Sequence, residues 1–152
     1  MSAENITTDI QEYVTFRIGG MLMGIDILQV QEINQYLDIT AVPHSPEQVM
    51  GVINLRGEVV TVLDLALILG MSASSIEPTS RNLIVNAEDE NIGVLVDSLA
   101  DVVSANDGDV EQSPANVSNI DGRYIKGIYK LDNDLLILLN PDEILSVVTE
   151  HA

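Results

Sequence analysis

Apolar and polar residues alternate along this chain in short runs, not in long helical stripes. Residues 12–18, EYVTFRI, put Val14, Phe16 and Ile18 on one face and Tyr13, Thr15 and Arg17 on the other, which predicts a half-buried strand. Gly19-Gly20 marks a turn, and MLMGIDI supplies the return strand. In LQVQEI, residues 28–33, Leu28, Val30 and Ile33 give a further apolar face. AVPHSPEQVM carries two prolines and reads as a loop, with at most a short helical turn at 46–50, in which Ser45 would be the cap and Pro46 the first position. MGVINL and EVVTVLDL read as strands joined by Arg56-Gly57, where Gly57 supplies the positive φ of a tight hairpin, and Asn54 belongs to the same turn region. Val59, Val62 and Leu63 are expected in the core, as is Leu138. A short apolar helix or turn and a Ser-rich linker, ALILGMSASSIEPTS, close the first half.

The second half repeats this style. RNLIVNA, 81–87, is a strand, EDEN a turn, and IGVLVDSLADVVS, 92–104, a strand followed by a second apolar segment. A long polar loop, 105–122, leads to YIKGIYKL and LLILLN, which pair across DND. PDEILSVVT is a terminal helix: Asn140 caps it, Pro141 starts it, and Asp142 and Glu143 suit its positive N-terminal dipole. Residues 1–10 read as a loose tail.

The halves also align residue by residue. GVINLRGEVVTVLDLALIL, 51–69, set above GIYKLDNDLLILLNPDEIL, 127–145, matches Gly51 with Gly127, Leu55 with Leu131, Leu63 with Leu139 and Asp64 with Asn140. GIDILQVQEI and GVLVDSLADV match from Gly24 and Gly93. The natural reading is a duplicated strand-rich unit of about five short strands per copy, a count that suits a small closed barrel. The expected division is one domain, 11–150, with approximate sub-barrels 12–76 and 80–148, and an exchange of strands between them is left open.

Composition narrows the function. Of 152 residues, 46% are apolar but only 3% aromatic, so the core must be aliphatic. Six Lys and Arg stand against 24 Asp and Glu, a formal charge of −18. Without a basic face the chain does not suit nucleic acid or anionic lipid. The same charge suits a high-salt medium that screens self-repulsion. No cysteine is present, which removes disulfides and thiol chemistry and fits a reducing cytoplasm. The polar start, MSAENITTDI, lacks the zones of a signal peptide. No apolar run approaches the ~18 residues of a membrane helix, so a soluble, cytoplasmic protein without membrane insertion is expected.

No catalytic constellation emerges. His44 lies in a proline loop and His151 near the end, without a nucleophile beside either in sequence. Phosphate-loop, dinucleotide, nucleophile-elbow and zincin motifs are absent. Asp107, Asp109 and Glu111 alternate as in a calcium loop, but the rest of that signature is missing, and a solvated acidic loop is the better reading. Surface docking remains as the expected mode of action. A small acidic calcium-binding protein or enzyme is the alternative from another class.

GIDILQVQEI, PEQVMGVINLRGEVVTVLDL, GVLVDSLADVV and YIKGIYKLDNDLLILLNPDEIL together resemble the CheW-like family of chemotaxis coupling proteins, over about residues 12–148. The most specific motif is G-V-x-N-L-R-G-x-V-x-x-V-x-D-L. The resemblance implies an all-β fold: two intertwined, five-stranded SH3-like barrels sharing a hydrophobic core, with short helices including one at the C-terminus. It implies a non-catalytic adaptor, with no cofactor or metal. Its partners would be the cytoplasmic tip of methyl-accepting chemoreceptors and the regulatory domain of the histidine kinase CheA, which has the same fold. The adaptor would be recruited to membrane-associated receptor arrays. Carried over, Glu32 and Arg56 match the family's signature charges near one rim of a groove, and Val30, Gly51, Gly93 and Val102 match positions lining or shaping it. Met23 stands where an aromatic is frequent and Asn34 where a basic residue is frequent, which leaves open a related coupling protein of a pilus or gliding pathway, or a detached kinase regulatory domain.

Overall fold

In a computed structural model of the chain, residues 10–35, 38–112, 116–117 and 119–149 are described. Of the expected tail, residues 1–9 lie outside this set, and Ile10 already belongs to the first strand. The strands in chain order are β1 (Ile10–Ile18), β2 (Met21–Asp26), β3 (Val30–Asn34), β4 (Val49–Leu55), β5 (Glu58–Asp64), β6 (Arg81–Ala87), β7 (Glu90–Val96), β8 (Ser98–Leu99), β9 (Val103–Asn106), β10 (Asn116–Val117), β11 (Ile120–Asp121), β12 (Ile125–Lys130) and β13 (Leu135–Leu139). Two short helices, α1 (Leu65–Ile68) and α2 (Pro141–Thr149), follow β5 and β13. Asp64 caps the first by accepting from the Leu67 N–H at 3.2 Å, and Asn140 caps the second by accepting from the Asp142 N–H at 3.1 Å.

The strands form the two small barrels of an all-β, SH3-like architecture. One sheet runs β12-β13-β2-β1-β8, with β9 also paired to β1; the other runs β3-β6-β7-β5-β4. Each sheet therefore combines a hairpin from one half of the chain with strands from the other. The joints are equivalent parallel pairs: Leu138 beside Gly24 in the first sheet, Val62 beside Gly93 in the second. Both late hairpins carry the same irregularity. The register skips a residue between Val49 and Gly51, and again between Ile125 and Gly127. At both skips a crossing segment presses on the glycine. A Cβ on Gly51 would stand 2.2 Å from the Thr40 carbonyl oxygen, and one on Gly127 2.5 Å from Val110 Cγ1. The duplication read from sequence is thus a duplication of bulges and crossings as well as of strands.

Among the described residues, three apolar clusters hold the structure. Tyr13, Leu22, Ala105, Leu136 and Leu138 fill the first barrel, and Ile53, Val60, Val62 and Ile84 the second. Between them lies the largest cluster, which includes Phe16, Ile18, Met23, Ile25, Leu63, Leu83, Val94 and Ile144. This layering corrects the reading of β1 as half-buried. Val14, Phe16 and Ile18 enter the shared core, but Tyr13 and Thr15 on the opposite face are buried too. From Tyr13 to Phe16 the strand lies between a barrel interior and the shared core with no solvent face, and exposure returns at Arg17, which pairs with Asp134 at 2.9 Å.

Other expectations change for local reasons. At 46–50 the chain makes a single turn, closed by Val49 N–H to the Pro46 carbonyl at 3.0 Å, that leads directly into β4. The Ser45 hydroxyl donates to the Val42 carbonyl instead of capping. Leu28 is 85% exposed, because a 3-10 turn at Ile27–Gln29, capped by Asp26, rotates it outward while Val30 packs on the shared core. Val59 is 66% exposed: β5 sends Val60 and Val62 into the second barrel, which turns Val59 out. The long polar loop after β9 holds a 3-10 turn at Asp107–Asp109 and the small hairpin β10–β11.

Candidate docking site on the rim of the second barrel

The turn between β4 and β5 has two central residues, Arg56 and Gly57, both at positive φ, 53° and 89°. Leu55 pairs with Glu58 across it, so it is the two-residue hairpin whose twist matches that of the strands. Glycine takes such a conformation freely, but arginine does so against steric resistance. The Asn54 side chain contributes by accepting from the Gly57 N–H at 2.9 Å.

The conformation carries the Arg56 guanidinium to β3, at the opposite end of the same sheet. Arg56 Nη2 donates to Glu32 Oε1 at 2.7 Å. The guanidinium side chain is 73% exposed and the Glu32 side chain 26%. The hydrogen bond from Arg56 to Glu32, the charge of Glu32 and that of Glu58 hold the guanidinium above its ordinary pKa, so it stays charged throughout the working range of pH. One edge of the pair is thus anchored and the other presented, with donors still directed outward.

The remaining expected site residues fall into two groups. Val30 begins β3, half-buried against the shared core. Val102 lies between β8 and β9, beside the first sheet, and is 52% exposed. Gly51 and Gly93 are buried in the second sheet, one under Thr40 and the other beneath Asn82. Neither glycine has surface to offer a partner, and each acts by admitting a close neighbour. Glu32 and Arg56 are brought into contact; Val102 lies apart from them, in the connection between β8 and β9 of the other sheet.

Sequence reasoning did not single out Asn82, which has no exposed surface, or the outward position of Val59. The alternation of Val59 with buried Val60 was available as a signal for the second. The acidic segment after β9 is occupied structurally: the Asn106 side chain accepts from the Gly108 N–H at 3.0 Å, and Glu111 pairs with Lys130 at 3.4 Å. Among the described residues, no three His, Asp or Glu are grouped as a metal ion would require, and no helix is long and apolar enough to cross a membrane.

Known proteins share this plan over almost the whole chain. Residues 12–149 match the CheW-like domain. The chain is 33% identical to the probable chemotaxis protein CheW of Rhizobium etli over 144 residues, 93% of this chain and 92% of that one. It is 34% identical to the chemotaxis protein CheW of Thermotoga maritima, covering 91% and 89% of the two chains. The crystal structure of the scaffolding protein TtCheW from Thermoanaerobacter tengcongensis superposes with a TM-score of 0.83 at 30% identity, over 90% of this chain and 88% of that one. With two exchanged barrels, a paired Glu32 and Arg56 on one rim and a match from residue 12 to residue 149, the chain belongs to the CheW-like domain family.

Proposed function

We propose that this chain is a non-catalytic adaptor of chemotaxis signalling that couples methyl-accepting chemoreceptors to the histidine kinase CheA. It acts in the cytoplasm, gathered into arrays beneath the membrane. The receptor's helical hairpin occupies the groove shaped by Val30, Glu32, Arg56 and Val102, and the end of a barrel meets the kinase regulatory domain. Gly51 and Gly93 keep the walls of that groove close-packed.

The observation that carries this reading is the Arg56–Glu32 contact at 2.7 Å, presented by a turn in which arginine adopts a left-handed backbone. Exposed ion pairs stabilise a fold weakly. A rigid guanidinium held ready at a surface is suited to bidentate contact with a partner's carboxylates or carbonyls. The test is co-sedimentation of the chain with membranes bearing chemoreceptors and with the kinase from the same genome. Co-sedimentation that requires receptor, with kinase recruited only when the chain is present, supports the reading. Kinase recruitment independent of the chain contradicts it.

A further inference from the structure

Asn82 occupies β6 with none of its surface exposed, and neither its amide nitrogen nor its amide oxygen has a hydrogen-bond partner. It lies two residues from Ile84 on the strand face that fills the second barrel. On β7, Gly93 pairs with Ile84 on one side and with Val62 of β5 on the other. A Cβ on Gly93 would stand 2.6 Å from Asn82 Oδ1 and 3.2 Å from its Cγ and Nδ2. The Asn82 side chain therefore fills the space that the glycine leaves.

The first barrel solves the same problem differently. There Gly24 lies beneath Tyr13, and an added Cβ would meet Leu136 Cδ1 at 3.2 Å, with Leu138 Cδ2 and Tyr13 Cβ at 3.4 Å. Its nearest neighbours include the flexible ends of leucines, which can give way. In the second barrel the neighbour is the planar amide of Asn82, two residues before Ile84 on β6. An unpartnered buried amide is costly, and an aliphatic residue would fill the space at less cost. Stability alone does not account for asparagine here.

We propose that Asn82, seated over Gly93, is a positioning residue for the Glu32–Arg56 rim. The two middle strands, β6 and β7, separate β3, which carries Glu32, from the β5–β4 hairpin, which carries Arg56. The separation and tilt of β6 and β7 fix how the two ends of the sheet meet. The amide wedge sets that spacing, so a side chain at 93 disturbs the rim through Asn82 and not by touching a partner. The inference rests on the reading of this rim as the docking site, and its test separates the two.

Gly93→Ala, Asn82→Ala and the double variant are compared by the NMR signals of the Arg56 Nε–H and the Glu32 amide, by thermal unfolding, and by affinity for a receptor-tip fragment. Each single variant is expected to move both rim signals, and Gly93→Ala to weaken binding by about tenfold. In the double variant the new methyl at 93 takes part of the space vacated by the amide, and signals and affinity return toward wild type. If Gly93→Ala does not fold, the double variant is expected to regain a cooperative transition. Rim signals unmoved by Gly93→Ala, multiplied losses in the double variant, or its failure to recover folding would overturn the proposal. If the wild type binds no receptor fragment while the rim signals show the compensating pattern, the positioning role stands and the docking reading falls.

Discussion

Arg56 at the tip of one hairpin and Glu32 on the far edge strand of the same sheet are hydrogen-bonded at 2.7 Å, although the other strands of the sheet separate them. The contact spans the ends of a rolled-up sheet and depends on how tightly that sheet closes. It is both a latch on the second barrel and the charged feature of its rim.

The turn conformation separates these two roles. At φ 53° Arg56 is sterically strained, and glycine is not. Arg56→Gly is expected to leave Tm unchanged or raise it by a few degrees, because relief of strain offsets the loss of an exposed pair, while receptor affinity falls. Thermal unfolding and affinity measured on the same sample check this. A large drop in Tm would make the latch the principal role.

Gly51 and Gly127 occupy equivalent bulges but face different obstacles. At Gly51 the obstacle is a backbone carbonyl whose residue, Thr40, exchanges hydrogen bonds with Val52 at 2.9 and 2.8 Å. Gly51→Ala is expected to cost about 3 kcal/mol, the upper end for overpacking. Gly127→Ala first meets a valine methyl and should cost less, about 1–2 kcal/mol. Urea titration of both variants gives the comparison, and equal losses would count against the carbonyl clash as the cause.

Asp134 is held below its ordinary pKa of 3.8, first by the hydrogen bond from Arg17 and then by the Leu135 N–H. A carboxyl depressed in the folded state stabilises above its unfolded pKa and loses that contribution as pH falls through the folded value. The Tm difference between wild type and Asp134→Asn should therefore be full at pH 6 and close as the pH falls below 3.8. A gap that persists at pH 2 would point to packing as its source.

With a charge of −18, folding brings carboxylates together at low ionic strength. Raising KCl from 0.1 to 1 M shortens the screening length from about 10 to about 3 Å. Tm is expected to rise over that range, and a flat or falling Tm would contradict self-repulsion as the limiting force.

Much of this was legible along the chain because it is local. The Arg56-Gly57 turn, the cap and proline that open α2, and the glycine spacing of the two halves are written in neighbouring residues. What was not legible depends on closure and exchange. Alternation in β1 gave the correct two faces but not the burial of both, since the second cover comes from strands far along the chain. Leu28 read as part of an apolar face and Val59 as core, because apolar character says nothing of which side a 3-10 turn or a strand presents. The Arg56–Glu32 contact could be suspected from the family resemblance, but its geometry arises only when β3 and the hairpin tip meet. Asn82 gave no signal, because a lone asparagine in a strand is ordinary until the glycine beside it is known.

The most direct measurement is titration calorimetry of the wild type, Arg56→Ala and Glu32→Ala against a receptor-tip fragment and, separately, the kinase regulatory domain. The account predicts that both variants unfold cooperatively near the wild-type Tm and lose about tenfold or more in affinity for at least one partner. Wild-type affinity of both folded variants for both partners would contradict it.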